Sequence, residues 1–229
     1  MTSLLKRAGV VFVLAATFAA TAAQAQEWTW RVDTAQSRLT VTVFRTGAFS
    51  PLLHDHFMAP KEWSGEVTAD PARPEAARVE IRASAGSLED QQTELSAEDR
   101  VKVNATSRSP EVLDASRYPE ILYSAGRFEP AASPPAQAGG ETVLQGTLVG
   151  ALTLHGRTRE LRVPVLARIS GDTLTAEGRV TFNQTGFGIR PFSSACMAVH
   201  AVATMDDVDA LTKRARFQLL SHIAPCAGQ

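Results

Sequence analysis

Residues 144–167 read LQGTLVGALTLHGRTRELRVPVLA. In the first half Leu144, Gly146, Leu148, Gly150, Leu152 and Leu154 fall on every second position, and the second half resumes the alternation from Leu161 to Ala167. Successive side chains of a strand point to opposite faces, so this period of two marks strands with one face buried. Between the two runs, His155-Gly156-Arg157 supplies a turn, and the pair reads as a β-hairpin.

The same rhythm extends outward in both directions. Leu39, Val41 and Val43 alternate with Arg38, Thr40 and Thr42, and Trp63, Gly65 and Val67 alternate with Glu62, Ser64 and Glu66. Val79 and Ile81 face away from Arg78, Glu80 and Arg82, while Ile121, Tyr123 and Ala125 continue the pattern. Leu174, Ala176, Gly178, Val180 and Phe182 give another strand, and a last one is expected over 213–220, burying Ala215, Phe217 and Leu219. That makes about eight strands. Ser96 followed by Asp99, and Ser109-Pro110-Glu111, are helix-start signals, which place one or two short helices within 95–114. Residues 129–141, rich in Pro, Ala and Gly, read as a linker. Strands connected in sequence would leave exposed edges in an open sheet, so the fold class is all-β, an eight-stranded antiparallel barrel. A barrel of that size can hold one small ligand. The inward small residues Gly65, Ala83, Gly146, Gly150, Ala176 and Gly178 either leave room for it or let the backbone bend.

Composition narrows the function. The chain has 229 residues, 44% hydrophobic and 21% charged, which argues against disorder. Lys6-Arg7, the apolar run 8–20 and the small-residue site Ala23-Gln24-Ala25 form a signal peptide with cleavage expected after Ala25, so residues 26–229 make one exported, periplasmic domain. The formal net charge of −1 becomes more negative once Lys6 and Arg7 are lost, and no basic run offers a hold on a phosphate backbone. Nucleic-acid partners are therefore set aside. No later apolar stretch approaches the roughly 20 residues of a membrane span. Of the two cysteines, Cys196 and Cys226, an exported protein can make one disulfide, or leave both free.

Few polar groups suggest chemistry. His54 and His56 share a face if their segment is extended, so both imidazoles can reach one metal, with Asp55 orienting them and Asp99 or His200 completing the set. The alternative places them at a barrel rim, on backbone groups or on the polar head of a bound amphiphile. His155, beside Gly156 in the turn, is expected at the surface. Cys196 and His200 stand four apart without a third orienting group, so no catalytic residue is assigned and no cofactor is expected.

Several motifs, taken in order, resemble the YceI-like family of periplasmic lipid and polyisoprenoid binders. They are Trp30-Arg31-Val32-Asp33 with Leu39-x-Val41-x-Val43, then Trp63-x-Gly65-x-Val67, and Tyr118-Pro119-Glu120-Ile121-x-Tyr123. Leu148-x-Gly150-x-Leu152-Thr153-Leu154-His155-Gly156-x-Thr158-Arg159 and Gln184-Thr185-Gly186-Phe187-Gly188-Ile189 follow. The resemblance spans about residues 28–220 and implies a lipocalin-like barrel around an apolar cavity that holds a polyisoprenoid, an isoprenoid quinone or a fatty acyl chain, without a reaction. It makes Val41, Val43, Trp63, Val79, Ile81, Tyr123, Leu148, Leu152, Phe182 and Phe187 the candidate lumen contacts, with His54 and His56 at the rim. A co-purifying lipid is then the expected partner. The competing readings are a metal-binding protein or metal-dependent enzyme using His54 and His56, and a structural or stress-response module whose barrel is solid.

Overall fold

The computed structural model describes residues 27–43, 56–132, 136–138, 140–189 and 196–207. The signal peptide, His54, Asp55, Cys226 and the strand expected over 213–220 lie outside these residues. The strands are β1 (Trp28–Val32), β2 (Arg38–Val43), β3 (His56–Pro60), β4 (Trp63–Asp70), β5 (Arg73–Ser84) and β6 (Leu88–Asp90). After helix α1 (Ala97–Arg108) come β7 (Glu120–Pro130), β8 (Ala136–Ala138), β9 (Glu141–Leu154), β10 (Arg157–Ser170), β11 (Thr173–Asn183) and β12 (Cys196–Asp207). All pairings are antiparallel.

Twelve strands form one sheet, yet they occupy eight positions around a barrel. β1 and β2 both pair with β12, Val32 opposite Met205 and Arg38 opposite Val202, so together they are one strand bent at residues 33–37. β3 and β4 are likewise interrupted only at Lys61 and Glu62, and β5 and β6 only by the 3₁₀ turn Ala85–Ser87. With those three merged, and with the short β8 continuing the β7 side of β9, the order runs β1/β2, β3/β4, β5/β6, β7, β9, β10, β11, β12 and returns to β1. Closure thus satisfies the ladder groups that an open edge would leave unpaired.

The central hairpin forms as the alternation requires. Leu154 pairs with Arg157, leaving a two-residue loop in which His155 (φ 51°) and Gly156 (φ 67°) both take positive φ, the turn whose twist matches that of the strands it joins. Gly156 is required on a second count, because a Cβ there would lie 2.3 Å from Cε1 of Tyr118. α1 starts where Ser96 predicts it: the Ser96 hydroxyl accepts the Asp99 N–H at 3.1 Å and donates to the Asp99 carboxylate at 2.7 Å. The second helix-start signal, Ser109-Pro110-Glu111, opens a series of turns instead, so one α-helix is present among the described residues. The expected linker is shorter than 129–141, since β7 runs on to Pro130 and β8 pairs with β9.

Packing inside the barrel divides into two clusters. One gathers around Trp30, which is fully buried, stacks on Trp28 at 5.8 Å and donates its indole N–H to the Asp172 carbonyl at 3.1 Å. Burying 150–250 Å² of indole is worth about 4–6 kcal/mol of apolar transfer. The other joins Met58, Ala85, Leu88 and Leu113 to Leu152, Leu154, Phe187 and Ile189 at the end of the barrel where α1 lies.

Candidate functional site

A cavity of about 220 Å³ lies inside the barrel, and its wall is hydrocarbon almost throughout. That exceeds the roughly 150 Å³ of an apolar cavity able to take a benzene. The wall draws on both clusters, with Val67, Phe128 and Ile169 from the first and Leu88, Leu113 and Leu154 from the second. A barrel solid with side chains, one of the competing readings, does not fit this interior.

Seven of the ten lumen candidates reach the wall: Val41, Val79, Ile81, Tyr123, Leu148, Leu152 and Phe182. The other three lie elsewhere. Phe187 is buried behind Phe182, meeting it edge to face with ring centroids 5.3 Å apart. Val43 ends β2 and packs on the second cluster, and Trp63, first residue of β4 after the bend at Lys61 and Glu62, is half-buried outside both clusters. Leu144, Leu154, Leu161, Val163 and Val165 share the wall, and the alternation of residues 144–167 carries the signal for all of them. Leu88 and Leu113 come from segments with no period, so only the folded chain brings them there.

The small inward residues divide by role. Ala83, Ala176 and Gly178 border the cavity, whereas Gly150 serves strand approach. A Cβ at Gly150 would stand 2.4 Å from the Ser124 carbonyl oxygen and 2.7 Å from Ala125 Cα, so β7 and β9 close on each other only without it. Next to that contact the β7–β9 register slips between Ala125 and Arg127.

Among the described residues of the wall, Tyr123 is the one with a hydroxyl. Its ring belongs to both clusters, and its O–H points to two backbone carbonyls, Leu148 at 3.4 Å and Leu161 at 3.5 Å. Burial pushes the phenol up to about 12, so it remains a neutral donor.

Polar candidates sit at the α1 end. Nδ1 of His56 is 2.7 Å from the Asp90 carboxylate, whose side chain is fully buried; the other Asp90 oxygen accepts the Gln92 N–H at 2.7 Å, and the Asp90 N–H is bound by Asn104 of α1 at 2.8 Å. The histidine is thus oriented by a carboxylate between β3, β6 and the helix. Among the described residues no three His, Cys, Asp or Glu side chains converge as metal ligands. His155 is not the surface residue expected from its turn: it is half-buried, with Nδ1 3.1 Å from the Phe187 carbonyl oxygen and its ring 5.3 Å from that of Tyr118. Cys196 and His200 both lie on β12, opposite Asn183 and Arg179 of β11.

The profile of the YceI-like domain matches residues 30–210 of this sequence. The chain belongs to the YceI-like family. Solved structures agree on the YceI-like fold. Burkholderia cenocepacia BcnA superimposes with a TM-score of 0.59 at 19% identity, over 76% of this chain and 98% of its own. A polyisoprenoid binding domain from Saccharophagus degradans, implicated in plant cell wall breakdown, gives 0.55 at 12%, over 79% and 99%. The Campylobacter jejuni YCEI protein gives 0.50 at 11%, over 66% and 83%. A search of curated proteins found no match. In this YceI-like chain the two most specific motifs meet at one end of the barrel. Besides the His155 contact, the Arg159 Nε–H donates to the Gly186 carbonyl at 3.1 Å, and the Arg157 guanidinium covers Gly188, where a Cβ would lie 2.7 Å from Nε. The hairpin tip and the 184–189 loop are therefore one built unit, holding Phe187 and Ile189 inside. No helix among the described residues is long and apolar enough to cross a membrane.

Proposed function

We propose that this YceI-like protein is exported to the periplasm and there binds an apolar chain, a polyisoprenoid, an isoprenoid quinone or a fatty acyl lipid, as a carrier or sequestering protein. The observation that carries the reading is the closed antiparallel barrel around an apolar cavity of about 220 Å³. On the measure by which about 150 Å³ takes the six carbons of a benzene, this space takes about nine carbons. A long chain is accordingly held by one end, with the remainder and any head group outside. Each enclosed methylene contributes about 0.8 kcal/mol, so binding needs no directional contact to be useful. The polyisoprenoid binding described for the Saccharophagus degradans domain of the same fold supports the choice of chain. No reaction is part of this reading; His56, held by Asp90, contributes at the rim.

Protein purified from the periplasm, extracted with organic solvent and analysed by mass spectrometry, is expected to release an isoprenoid or acyl lipid. Delipidated protein should take up added farnesol in about equal amount. Repeated extracts without lipid, together with no farnesol uptake, would sink the proposal. Amino-terminal sequencing of the periplasmic form should begin at Gln26; an intact Met1 form confined to the cytoplasm would overturn the export assignment.

A further inference from the structure

We propose that Tyr123 selects, among apolar chains, those carrying a neutral carbonyl oxygen at the depth of its hydroxyl. The inference deepens the carriage reading and rests on it. Among the described residues lining the cavity, Tyr123 alone brings a hydroxyl to a wall otherwise built of aliphatic, prolyl and phenyl groups, apart from Glu66 and Glu177. Both glutamates sit at outward positions of their strands, and Glu66 is engaged by Arg31 at 3.2 Å. Tyr123 reaches across from β7 toward the carbonyls of Leu148 on β9 and of Leu161 on β10, the latter paired with Gly150 of β9.

The partnering of this hydroxyl is what marks it. It has one hydrogen and two acceptors at 3.4 and 3.5 Å, whereas a well-made hydroxyl bond is about 2.7–2.8 Å long. The donor is aimed into the barrel wall but held only weakly. A ligand oxygen that approached to ordinary bonding distance would take the hydrogen, and the loss to Leu148 and Leu161 would be small. The chemistry of the guest follows from the surroundings. A carbonyl that enters an apolar lumen gives up its water and is stranded unless a donor meets it. Along the described residues of this wall the donor is at one depth. A carboxylate would bring an unpaired charge into the same space, at much greater cost. The phenol, raised to about 12 by burial, stays a donor at every pH at which the protein is expected to work.

The test uses nonan-2-one, nonan-3-one, nonan-4-one and nonan-5-one, which bury nearly equal hydrocarbon and differ in where the oxygen sits. Each is titrated into delipidated wild-type protein and into Tyr123→Phe by displacement of a fluorescent fatty probe. Wild type should bind one isomer about 3- to 10-fold more tightly than the others, as one neutral hydrogen bond gained against apolar surroundings predicts. Tyr123→Phe should bind all four alike, at the affinity of the weaker wild-type isomers. The infrared carbonyl stretch of the preferred isomer should fall to lower frequency in wild type and return to its hydrocarbon-solvent value in the variant. Equal affinities in wild type, with an unshifted stretch, would overturn the role of Tyr123 and leave chain carriage standing. Failure of every isomer to bind would overturn carriage and this inference together. Should Tyr123→Phe not fold, the wild-type isomer ranking and infrared band decide alone.

Discussion

Lengthening a bound chain by one methylene should raise its affinity about 4-fold, since about 0.8 kcal/mol is gained per buried group, but only until the lumen is full. The cavity of about 220 Å³ sets that point. Scaled from about 150 Å³ for the six carbons of a benzene, it lies near nine carbons, beyond which added methylenes remain in water and the slope flattens. Ala176 borders the cavity and is half-buried, and Ala176→Leu places three further carbons in the same space. The break should then move to about six carbons, and the plateau affinity should fall by about 2.4 kcal/mol, roughly 60-fold. Competition of n-alkanols from butanol to dodecanol against a fluorescent probe, or calorimetry with the same series, reads both quantities. A wild-type series that climbs without a break to dodecanol would refute the reasoning, because no enclosed volume would then limit the chain. So would a break at the same length in the variant, which would put the binding surface outside the barrel.

Three further outcomes test the fold that holds this lumen. Gly150→Ala should cost about 1–3 kcal/mol by overpacking against β7, lowering the melting temperature by about 2–12 °C for a chain of this size. Gly126→Ala, whose Cβ meets nothing within 4 Å, should change it little, and equal melting of the two variants would contradict the close approach of β7 and β9. Asp90→Ala strands the Gln92 N–H and the His56 ring, so urea unfolding should show a loss of about 1–3 kcal/mol, with a loss near zero counting against the buried network. Because the Tyr123 phenol is raised to about 12 in the folded protein from an ordinary 10.0, its stabilising share is complete below pH 10 and is lost as pH rises toward 12. Ultraviolet titration should show one phenol ionising near 12 that is absent in Tyr123→Phe, and the lack of any phenol ionising near 12 in the wild type would dismiss the buried setting.

Much of the barrel was legible from alternation alone. β9, β10 and β11 are long, and apolar residues recur on alternate positions of each, so periodicity located them and put Leu148, Leu152 and Phe182 of the wall on their inward faces. β12 was not legible in this way. Its run Cys196-Met197-Ala198-Val199-His200-Ala201-Val202-Ala203 has almost no polar position and hence no period of two. The final alternating strand is expected over 213–220, outside the described residues, while this segment suggests only Cys196 and His200. β3, five residues with Pro60 at its end, is too short to show a period. His155 departs from the exposure its turn predicts for a related reason. A turn residue is exposed unless something packs on the turn, and Tyr118 and Phe187 do so from 37 and 32 positions away in the chain.

By itself the sequence determined which side chains can face inward, where α1 begins, that the 144–167 segment doubles back at His155-Gly156, and which family its motifs resemble, because these depend on neighbours two to four residues apart. Whether the inward glycines made room or let strands close was decided only in three dimensions. Gly150 admits β7, while Gly178 and Ala176 border the space, since the difference lies in which distant backbone stands opposite. The same holds for the lumen. Alternation predicts an apolar interior in a filled barrel and in a hollow one alike, and only the summed curvature of eight strand positions, set by bends at 33–37, 61–62 and 85–87, leaves about 220 Å³ unfilled.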